Sequence, residues 1–366
     1  MAKKQNPTLK QIAELAGFSQ ASVSMILNNR MDVSFSEKTI QLVHSAAESL
    51  GYEKPDPAPR RRGSARRLVA VLCPNVSNPY YSSLVQAIEQ SAWANEYQVL
   101  VMDTYRSAEA EERCLAVLRE GEVAGAIFAM PPRSPAALEE LGRELPLVAI
   151  GDRGSSLHVD AVEVDNYGAG VLIARHLLEL GHERVAFVST TLDEQAIVRM
   201  RRFKGVEETI LAERPGAEFA AFSRGIAPEQ ELGDLFIEHR VGYELALEAI
   251  DRAAFTAIVA VNDMVAFGAI DAIAERGLSV PGDLSVCGFD NVFPSRLRPI
   301  SLTTVDNYIV EKGRSAFAML LGRIGGASGG AGPSEAITRV EYPPRLVVRG
   351  STARPRGRGR QGGRER

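Results

Sequence analysis

Residues 8–27 read TLKQIAELAGFSQASVSMIL, the pattern of two short helices joined by a tight turn. Thr8 begins a capping box for the first helix, and Gly17 is suited to end that helix in a left-handed conformation. Ser19 can cap a second helix over 20–27. Two short helices around a Gly-containing turn predict a helix-turn-helix.

A third helix is predicted after Ser36, where Ile40, Val43, Ala47 and Leu50 recur at spacings of three, four and three. That spacing predicts one buried stripe and completes a three-helix head, residues 1–52. The first helix is expected to bury Ile12, Leu15 and Ala16, and the second Val23, Ile26 and Leu27.

The outer face of the second helix carries small and polar side chains. Such side chains can lie against the floor of a DNA groove and against phosphates, so DNA binding is favoured over a purely structural role. They are Gln20, Ala21, Ser22, Ser24, Met25 and Asn28.

The formal net charge of −4 is distributed unevenly along the chain. Residues 1–67 carry eleven Lys and Arg against six Asp and Glu, and 345–366 carry eight Arg against one Glu. The part between them is strongly acidic. Basic ends on an acidic body suggest a polyanionic partner at the ends, although solvated terminal charge explains the same pattern.

Composition excludes several classes of protein. Hydrophobic residues make up 45% and charged residues 24%, as in an ordinary globular protein, and no apolar run approaches a membrane span. The N-terminal residues lack the apolar core of a signal peptide, so a cytoplasmic protein is expected. The distant Cys73, Cys114 and Cys287 are expected to be buried free thiols, and no metal or cofactor is expected.

From residue 68 short apolar runs alternate with helical segments, which predicts βαβ units in two open parallel sheets. Polar caps follow several strands, at Asn78-Pro79, Asp165-Asn166 and Asn262-Asp263. Ligands of open α/β sheets bind beyond the carboxyl ends of the strands, so these junctions mark a pocket. The expected strands are 68–73, 99–102, 126–130, 147–150, 161–164, 185–188, 219–222, 257–261, 284–289 and 302–305.

The head resembles the DNA-binding domain of the lactose and galactose repressor family (LacI/GalR). The resemblance covers 8–24, Leu27-Asn28, 36–39 and 50–52. It implies that Gln20, Ala21 and Met25 face base edges. It also implies that backbone phosphates are held by Thr8, Ser19, Ser22, Ser24, Asn28, Ser36 and Thr39.

Two features of the head and linker depart from the family pattern. Met25 stands where the family reads guanine with an arginine, and Met cannot form that bidentate pair. The linker, 53–67, is rich in Pro and Arg, and Arg61 falls on the position of the leucine that the family wedges into the minor groove. Pro59 would interrupt a hinge helix, whereas phosphate contact by Arg61 remains compatible with the sequence.

The body, residues 68–352, resembles the same family and the related periplasmic sugar-binding fold. The resemblance implies two lobes, expected at 68–163 plus 296–326 and at 164–295 plus 330–352, with a flexible Gly-rich loop at 325–332. The matching stretches are 78–81, 151–153, 164–166, 202–205, 242–243, 257–258, 262–268, 280–283, 286–290, 302–305 and 344–351.

The resemblance implies an effector site in the cleft between the lobes. The sequence leaves alternative roles open for some of the candidate residues. These are helix packing for the two tyrosines, an interlobe ion pair for Arg202, and hinge positioning for Asp152. Helix capping is the favoured role of Asp165 and Asp263. The candidate effector ligands are Tyr80, Tyr81, Asp152, Arg202, Asn262 and Asp290.

These observations predict a helix-turn-helix head plus an α/β body with a two-lobed, periplasmic-binding-protein-like fold. The protein is expected to be a cytoplasmic, nucleoid-associated homodimer. It is expected to bind operator DNA as a repressor under the control of a sugar or sugar derivative. Alternatives are a purine-responsive regulator, an activator, or a sugar-binding transport protein. No catalytic motif is present, and 353–366 is expected to be a disordered basic tail.

Overall fold

A computed structural model of the chain describes residues 7–27, 35–52, 67–121, 123–152, 157–328 and 336–356. Within these ranges the side chains at positions 21, 37, 152, 327 and 328 are outside the description. The chain divides into two compact units, Met1–Ala65 and Arg66–Arg366, and each unit is considered by itself.

The first unit contains the three predicted helices, α1 (Leu9–Ala16), α2 (Gln20–Leu27) and α3 (Glu37–Leu50). The capping box is formed, because the Thr8 hydroxyl accepts from the backbone of Gln11 and the Gln11 side chain accepts from the backbone of Thr8. Gly17 and Gly51 end α1 and α3 at φ values of 72° and 67°. These helix boundaries follow directly from the sequence.

The core of the head is smaller than the sequence predicts. Leu15 is 57% exposed and Ile40 and Leu50 are each 37% exposed, so the expectation that these three are buried is wrong. On α1 the buried face passes through Ile12 and Ala13, and Leu15 lies about 200° around the helix from Ala13. The buried apolar residues are Ile12, Ala13, Val23, Ile26, Val43, Ala46 and Ala47.

The second unit alternates strands and helices along the chain. All ten apolar runs predicted from the sequence form strands. The strands are β1 (Leu68–Cys73), β2 (Gln98–Asp103), β3 (Gly125–Phe128), β4 (Leu147–Asp152), β5 (Asp160–Val164), β6 (Arg184–Ser189), β7 (Glu218–Ser223), β8 (Ala257–Ala260), β9 (Ser285–Asp290), β10 (Thr303–Asp306), β11 (Arg339–Tyr342) and β12 (Arg345–Val347). The helices are α4 (Pro79–Ala94), α5 (Ala108–Glu120), α6 (Pro135–Gly142), α7 (Asn166–Leu180), α8 (Ile197–Glu213), α9 (Pro228–Gly233), α10 (Ile237–Arg252), α11 (Asp263–Glu275) and α12 (Ile309–Ser328).

The strands form two six-stranded sheets, and each sheet is the centre of one lobe. The sheet of the first lobe has the order β11-β5-β4-β3-β1-β2 with every pair parallel. The sheet of the second lobe has the order β12-β10-β9-β8-β6-β7, in which only β12 runs antiparallel to its neighbour. These are the two predicted open sheets with a helix-covered core on each face.

The assignment of chain segments to lobes differs from the expected one. β10 (303–306) pairs with β9 in the second lobe, although residues 296–326 were expected in the first lobe. β11 (339–342) pairs with β5 in the first lobe, although it was expected in the second. The chain therefore crosses between the lobes near 165, 307 and 343. The expected lobe boundaries were wrong because the local sequence pattern does not encode which strands pair.

Other features of the second unit bear on earlier expectations. Residues 325–328 continue α12 and are not a loop, and 329–335 lie outside the described residues. Ala353 bonds Ser285 and Arg356 pairs with Asp283, so these two residues at the start of the predicted disordered tail contact the body. The three cysteines are buried and free, as predicted. In the described part of the chain no helix has the length and apolarity to span a membrane.

Candidate functional site

A cavity of about 710 Å³ lies between the two lobes at the ends of their strands. Both lobes and the crossing segments contribute to its wall. Of the six predicted effector ligands, five line this cavity: Tyr80, Tyr81, Arg202, Asn262 and Asp290. The side chain of Asp152 is outside the description, although its backbone pairs with Val164 in the first sheet.

The two tyrosines are placed by the beginning of α4. Asn78 caps this helix by accepting from the backbone of Tyr80 at 2.9 Å, and Pro79 occupies its first turn, as predicted. The rings of Tyr80 and Tyr81 meet edge to face at 4.9 Å. Burial raises the pKa of Tyr81 to about 12 and also raises the pKa of Tyr80 well above its usual value, so both phenols stay neutral and can donate a hydrogen bond.

Arg202 is held by three buried partners within the second lobe and is not an interlobe ion pair. Its Nε donates to Asn166 Oδ1 at 2.9 Å, Nη1 to the carbonyl of Val261 at 2.8 Å, and Nη2 to Asp290 Oδ1 at 3.0 Å. Its guanidinium also lies 4.9 Å from the centroid of the Phe289 ring. The side chain is therefore fixed in one orientation before any ligand enters.

Asp290 ends β9 and links Arg202 to the second crossing between the lobes. Its Oδ1 accepts from Arg202 and from Asn307 Nδ2 at 2.9 Å, while Oδ2 has no hydrogen-bond partner in the described part of the structure. Asp290 adopts a φ of 113°, an uncommon conformation for a residue with a side chain. Burial raises the pKa of Asp290, and Arg202 opposes that effect.

Lys312, on α12, closes the same network from the first lobe. Its Nζ donates to the hydroxyl of Tyr80 at 2.6 Å and to Asn307 Oδ1 at 3.1 Å, and it lies 4.9 Å from the centroid of the Tyr80 ring. The residue is 2% exposed. Burial lowers the pKa of Lys312 to about 7.

Glu238, on α10, is the centre of a second buried cluster, which joins the lobes. It accepts from Asn78 Nδ2 at 2.7 Å across the cleft and from Asn262 Nδ2 at 2.9 Å within its own lobe. Arg199 lies 3.2 Å and Arg106 3.6 Å from its Oε1, and Arg106 also pairs with Glu231. Burial alone would raise the pKa of Glu238, but the two guanidinium groups lower it.

The cap of α11 differs from the expected one. Asn262 is the N-cap, because its Oδ1 accepts from the backbone of Val265 at 2.9 Å, and Asp263 is not. Asp263 instead accepts from Ser295, Thr304 and the backbone of Val292 inside the second lobe. Asp165 caps α7 as predicted, accepting from Gly168 at 2.9 Å. Burial raises the pKa of Asp263 to about 7.

A close approach of α7 and α8 sets the position of Arg202. A Cβ added to Gly170 would overlap the carbonyl oxygen of Arg202, and one added to Gly205 would overlap the carbonyl oxygen of Tyr167. Only glycine allows this separation of the two helices, which brings Arg202 within reach of Asn166.

In the head, the predicted phosphate ligands also act as helix caps. The hydroxyl of Ser19 accepts from the backbone of Ser22, and that of Ser36 from the backbone of Thr39. On α2, Gln20 is exposed, and Ser22, Ser24 and Met25 are half-buried. Asn28, Arg61 and the side chain of Ala21 lie outside the described residues, so their predicted roles stay predictions.

Sequence reasoning missed charged and amide residues of the cavity wall and of the adjoining Glu238 cluster. Lys312 and Glu238 occur among other charged residues on their helices, a pattern typical of a solvated face. Arg106 follows a strand end but has no distinctive neighbours. The missed residues are Arg106, Arg199, Glu238, Asn307 and Lys312. The described residues contain no group of three or more His, Cys, Asp and Glu side chains placed to hold a metal ion.

Comparison with known families assigns both units. Residues 8–55 match the model of bacterial regulatory proteins of the lacI family. Residues 174–352 match the model of the periplasmic binding protein-like domain.

Individual proteins resemble the chain over nearly its whole length. The HTH-type transcriptional regulator DegA of Bacillus subtilis is 33% identical over 354 residues, covering 94% of this chain and 98% of DegA. The HTH-type transcriptional repressor PurR of Haemophilus influenzae is 26% identical over 347 residues, with 94% and 98% coverage. A transcriptional regulator from Enterococcus faecium, solved with bound ribose, is 27% identical with a TM-score of 0.65, covering 78% of this chain and 99% of that structure.

Proposed function

Because the chain belongs to the LacI family of bacterial transcriptional regulators, we propose that it is a repressor whose operator affinity is controlled by a small polyhydroxylated ligand. The observation that carries the proposal is the cavity between the lobes, lined by fixed hydrogen-bonding groups and by two aromatic rings. A regulator with such a cavity can couple ligand binding to a change between its lobes.

The proposed ligand is a sugar or a sugar derivative. Among the described residues Oδ2 of Asp290 has no protein partner, so it can accept from hydroxyl groups, and the neutral phenols of Tyr80 and Tyr81 can donate to them. A tyrosine ring in this position can also pack its face against the C–H groups of a pyranose or furanose. The ribose bound to the Enterococcus faecium regulator supports the same class of ligand.

Interlobe hydrogen bonds provide a route from the ligand to the lobes. Asn78 of the first lobe donates to Glu238 of the second, and Arg106 of the first lobe forms an ion pair with it. Asn262, which lines the cavity, donates to the same carboxylate. A ligand that binds Asn262 or Arg106 would compete with Glu238 for these side chains. We propose that this exchange shifts the equilibrium between arrangements of the lobes.

The head supports binding to DNA as a homodimer. Helix-turn-helix proteins read two half-sites related by the two-fold axis of the dimer, so a near-palindromic operator is expected. By the resemblance, Thr8, Ser19, Ser36 and Thr39 hold phosphates through their hydroxyls while Gln20 and Met25 reach base edges. Sedimentation of the free protein tests the dimer.

Titration calorimetry with a panel of neutral sugars and purines tests the ligand class. We expect one sugar to bind, and Arg202→Ala and Asp290→Ala each to weaken its binding by about tenfold to 150-fold. Each substitution removes a buried charge-assisted hydrogen bond worth about 1.5–3 kcal/mol. Arg276→Ala is the matched control, since Arg276 pairs with Asp251 on the surface at 2.6 Å and should leave affinity unchanged.

The outcomes separate the proposal from its rival. Binding of a purine and of no sugar would replace the sugar effector with a purine effector. Wild-type affinity in both Arg202→Ala and Asp290→Ala would show that the ligand binds outside this cavity.

A further inference from the structure

Buried charge in the cavity is not balanced. Arg202 and Lys312 are both buried in one hydrogen-bonded network, and Asp290 is the only carboxylate that it includes among the described residues. Asp290 is already engaged by Arg202 at 3.0 Å. In the described part of the chain no carboxylate lies within ion-pair distance of the Lys312 ammonium.

Other charged groups near Lys312 do not supply the missing anion. Asp306 accepts from Arg345 at 2.5 Å, and its charge is thereby compensated. The cluster around Glu238 contains two guanidinium groups, Arg106 and Arg199, matched by two carboxylates, Glu231 and Glu238. This second cluster is neutral as a whole.

Charges at the rim of the cavity are exposed. Asp193 and Glu194 carry negative charge there and Arg133 positive charge, and all three are exposed to solvent. Water and salt screen such groups, whereas the buried network is screened much less. The field at the inner wall is therefore set by Lys312, Arg202 and Asp290.

Lys312 also retains hydrogen-bonding capacity. An ammonium has three donors, and two of them are directed to Tyr80 and Asn307, at 2.6 Å and 3.1 Å. The third has no partner in the described structure, and Lys312 lines the cavity. A buried cation with a spare donor and no counter-ion is costly unless a ligand supplies the opposite charge.

We propose that the effector carries an anionic group, a carboxylate or a phosphate on a polyhydroxylated skeleton, and that Lys312 binds this group. The inference rests on the proposed function, because it concerns the chemistry of the ligand in the same cavity. The anionic group distinguishes the proposed ligand from a neutral sugar.

The charge state of Lys312 gives the proposal an independent signature. Burial lowers its pKa to about 7 while Asp290 and Asp306 raise it and Arg202 lowers it. Near neutral pH the ammonium of the empty site is therefore partly deprotonated. An anion in contact with Nζ restores the charged form, so binding of a carboxylate ligand takes up protons, and the uptake increases as pH rises toward 8.

The test compares matched ligands that share a skeleton: D-glucose with D-glucuronate, D-galactose with D-galacturonate, and D-ribose with D-ribose 5-phosphate. Calorimetry measures the affinity of each, and buffers of different ionisation enthalpy measure proton uptake for the carboxylates. We expect at least one anionic ligand to bind tenfold or more tightly than its neutral partner, with proton uptake that rises from pH 6 to pH 8. The carboxylate and phosphate members distinguish the two sources of the charge.

Variants of two lysines identify the group responsible. Lys312→Met should bring the anionic and neutral affinities within threefold of each other and eliminate proton uptake. Lys312→Gln, which keeps a polar group beside Tyr80, should behave in the same way if Lys312→Met folds poorly. Lys204→Met is the control, because Lys204 pairs with Glu207 on the surface and this substitution removes the same charge as Lys312→Met.

The possible results separate the two proposals. A neutral sugar that binds as tightly as its anionic partner would overturn the anionic effector and leave the sugar effector in place. An anionic preference that persists in both Lys312 variants would overturn the role of Lys312. Binding of purines alone would overturn both the sugar effector and this inference.

Discussion

The buried carboxylate of Glu238 offers the sharpest test of how the two lobes are held together. Glu238→Gln keeps the volume of the side chain but replaces one acceptor oxygen with a donor amide. If that amide replaces Oε2 it faces the donors of Asn78 and Asn262, and if it replaces Oε1 it faces Arg106 and Arg199. Either the two amide donors or the Arg199 donor loses its acceptor, and in both orientations Arg199 loses its counter-charge.

We expect Glu238→Gln to lower the free energy of unfolding of the body by about 3 kcal/mol. Breaking a buried ion pair costs about 3–5 kcal/mol, and Glu231, which still neutralises Arg106, keeps the loss near the lower end. Urea unfolding followed by circular dichroism measures the difference. Glu213→Gln is the control, because Glu213 pairs with the exposed Arg175 and should cost less than about 0.5 kcal/mol.

The dependence of this loss on pH provides a second check. The pKa of Glu238 is lowered in the folded protein, so its contribution is present above the pKa of the unfolded state and is lost as pH falls through the folded pKa. The difference in stability between the wild type and Glu238→Gln should therefore begin to narrow as pH falls below the unfolded-state pKa of about 4.3. A cost below about 1 kcal/mol at pH 7, or a difference that does not narrow in acid, would refute the assignment of a charged interlobe cluster.

Three further substitutions test other parts of the account. Gly170→Ala should cost about 1–3 kcal/mol in urea unfolding and weaken sugar binding, because the new methyl group displaces the backbone of Arg202; unchanged affinity would contradict this. Met25→Arg should shift base preference toward guanine at one position per half-site by about 1–3 kcal/mol in a binding-site selection, and an unaltered selected sequence would show that Met25 does not face bases. Burial lowers the pKa of His182, so its contribution to stability is lost as pH falls below the unfolded value near 6.5; His182→Gln should reduce the fall in urea midpoint between pH 7.5 and pH 5.5, and an equal fall would contradict it.

The fold could be predicted from the sequence to the level of individual strands and caps. Local signals specify such features: the capping box at Thr8, the left-handed Gly17 and Gly51, and the Asn78-Pro79 helix start are all formed as expected. The lobe membership of β10 and β11 was not predictable, because it depends on pairing between strands that are distant in sequence.

The candidate site could be predicted only where its residues match the family pattern. Arg202, Asn262 and Asp290 were identified by their match to the family pattern, and all three line the cavity. Lys312 and Glu238 were missed because a charged residue on a helix is usually solvated, and only the packing of α12 and α10 buries these two. Their burial depends on tertiary structure and leaves no local sequence signal.

The central claim is that ligand binding between the lobes controls sequence-specific binding of DNA. Fluorescence anisotropy of a duplex obtained by binding-site selection, measured at about 0.15 M salt with and without the sugar found by calorimetry, tests it most directly. The account predicts a preference of about 10³-fold or more over random DNA, and an affinity that the ligand changes in the wild type but not in Arg202→Ala. Equal affinity for selected and random DNA, or an operator affinity that the bound ligand does not change, would contradict it.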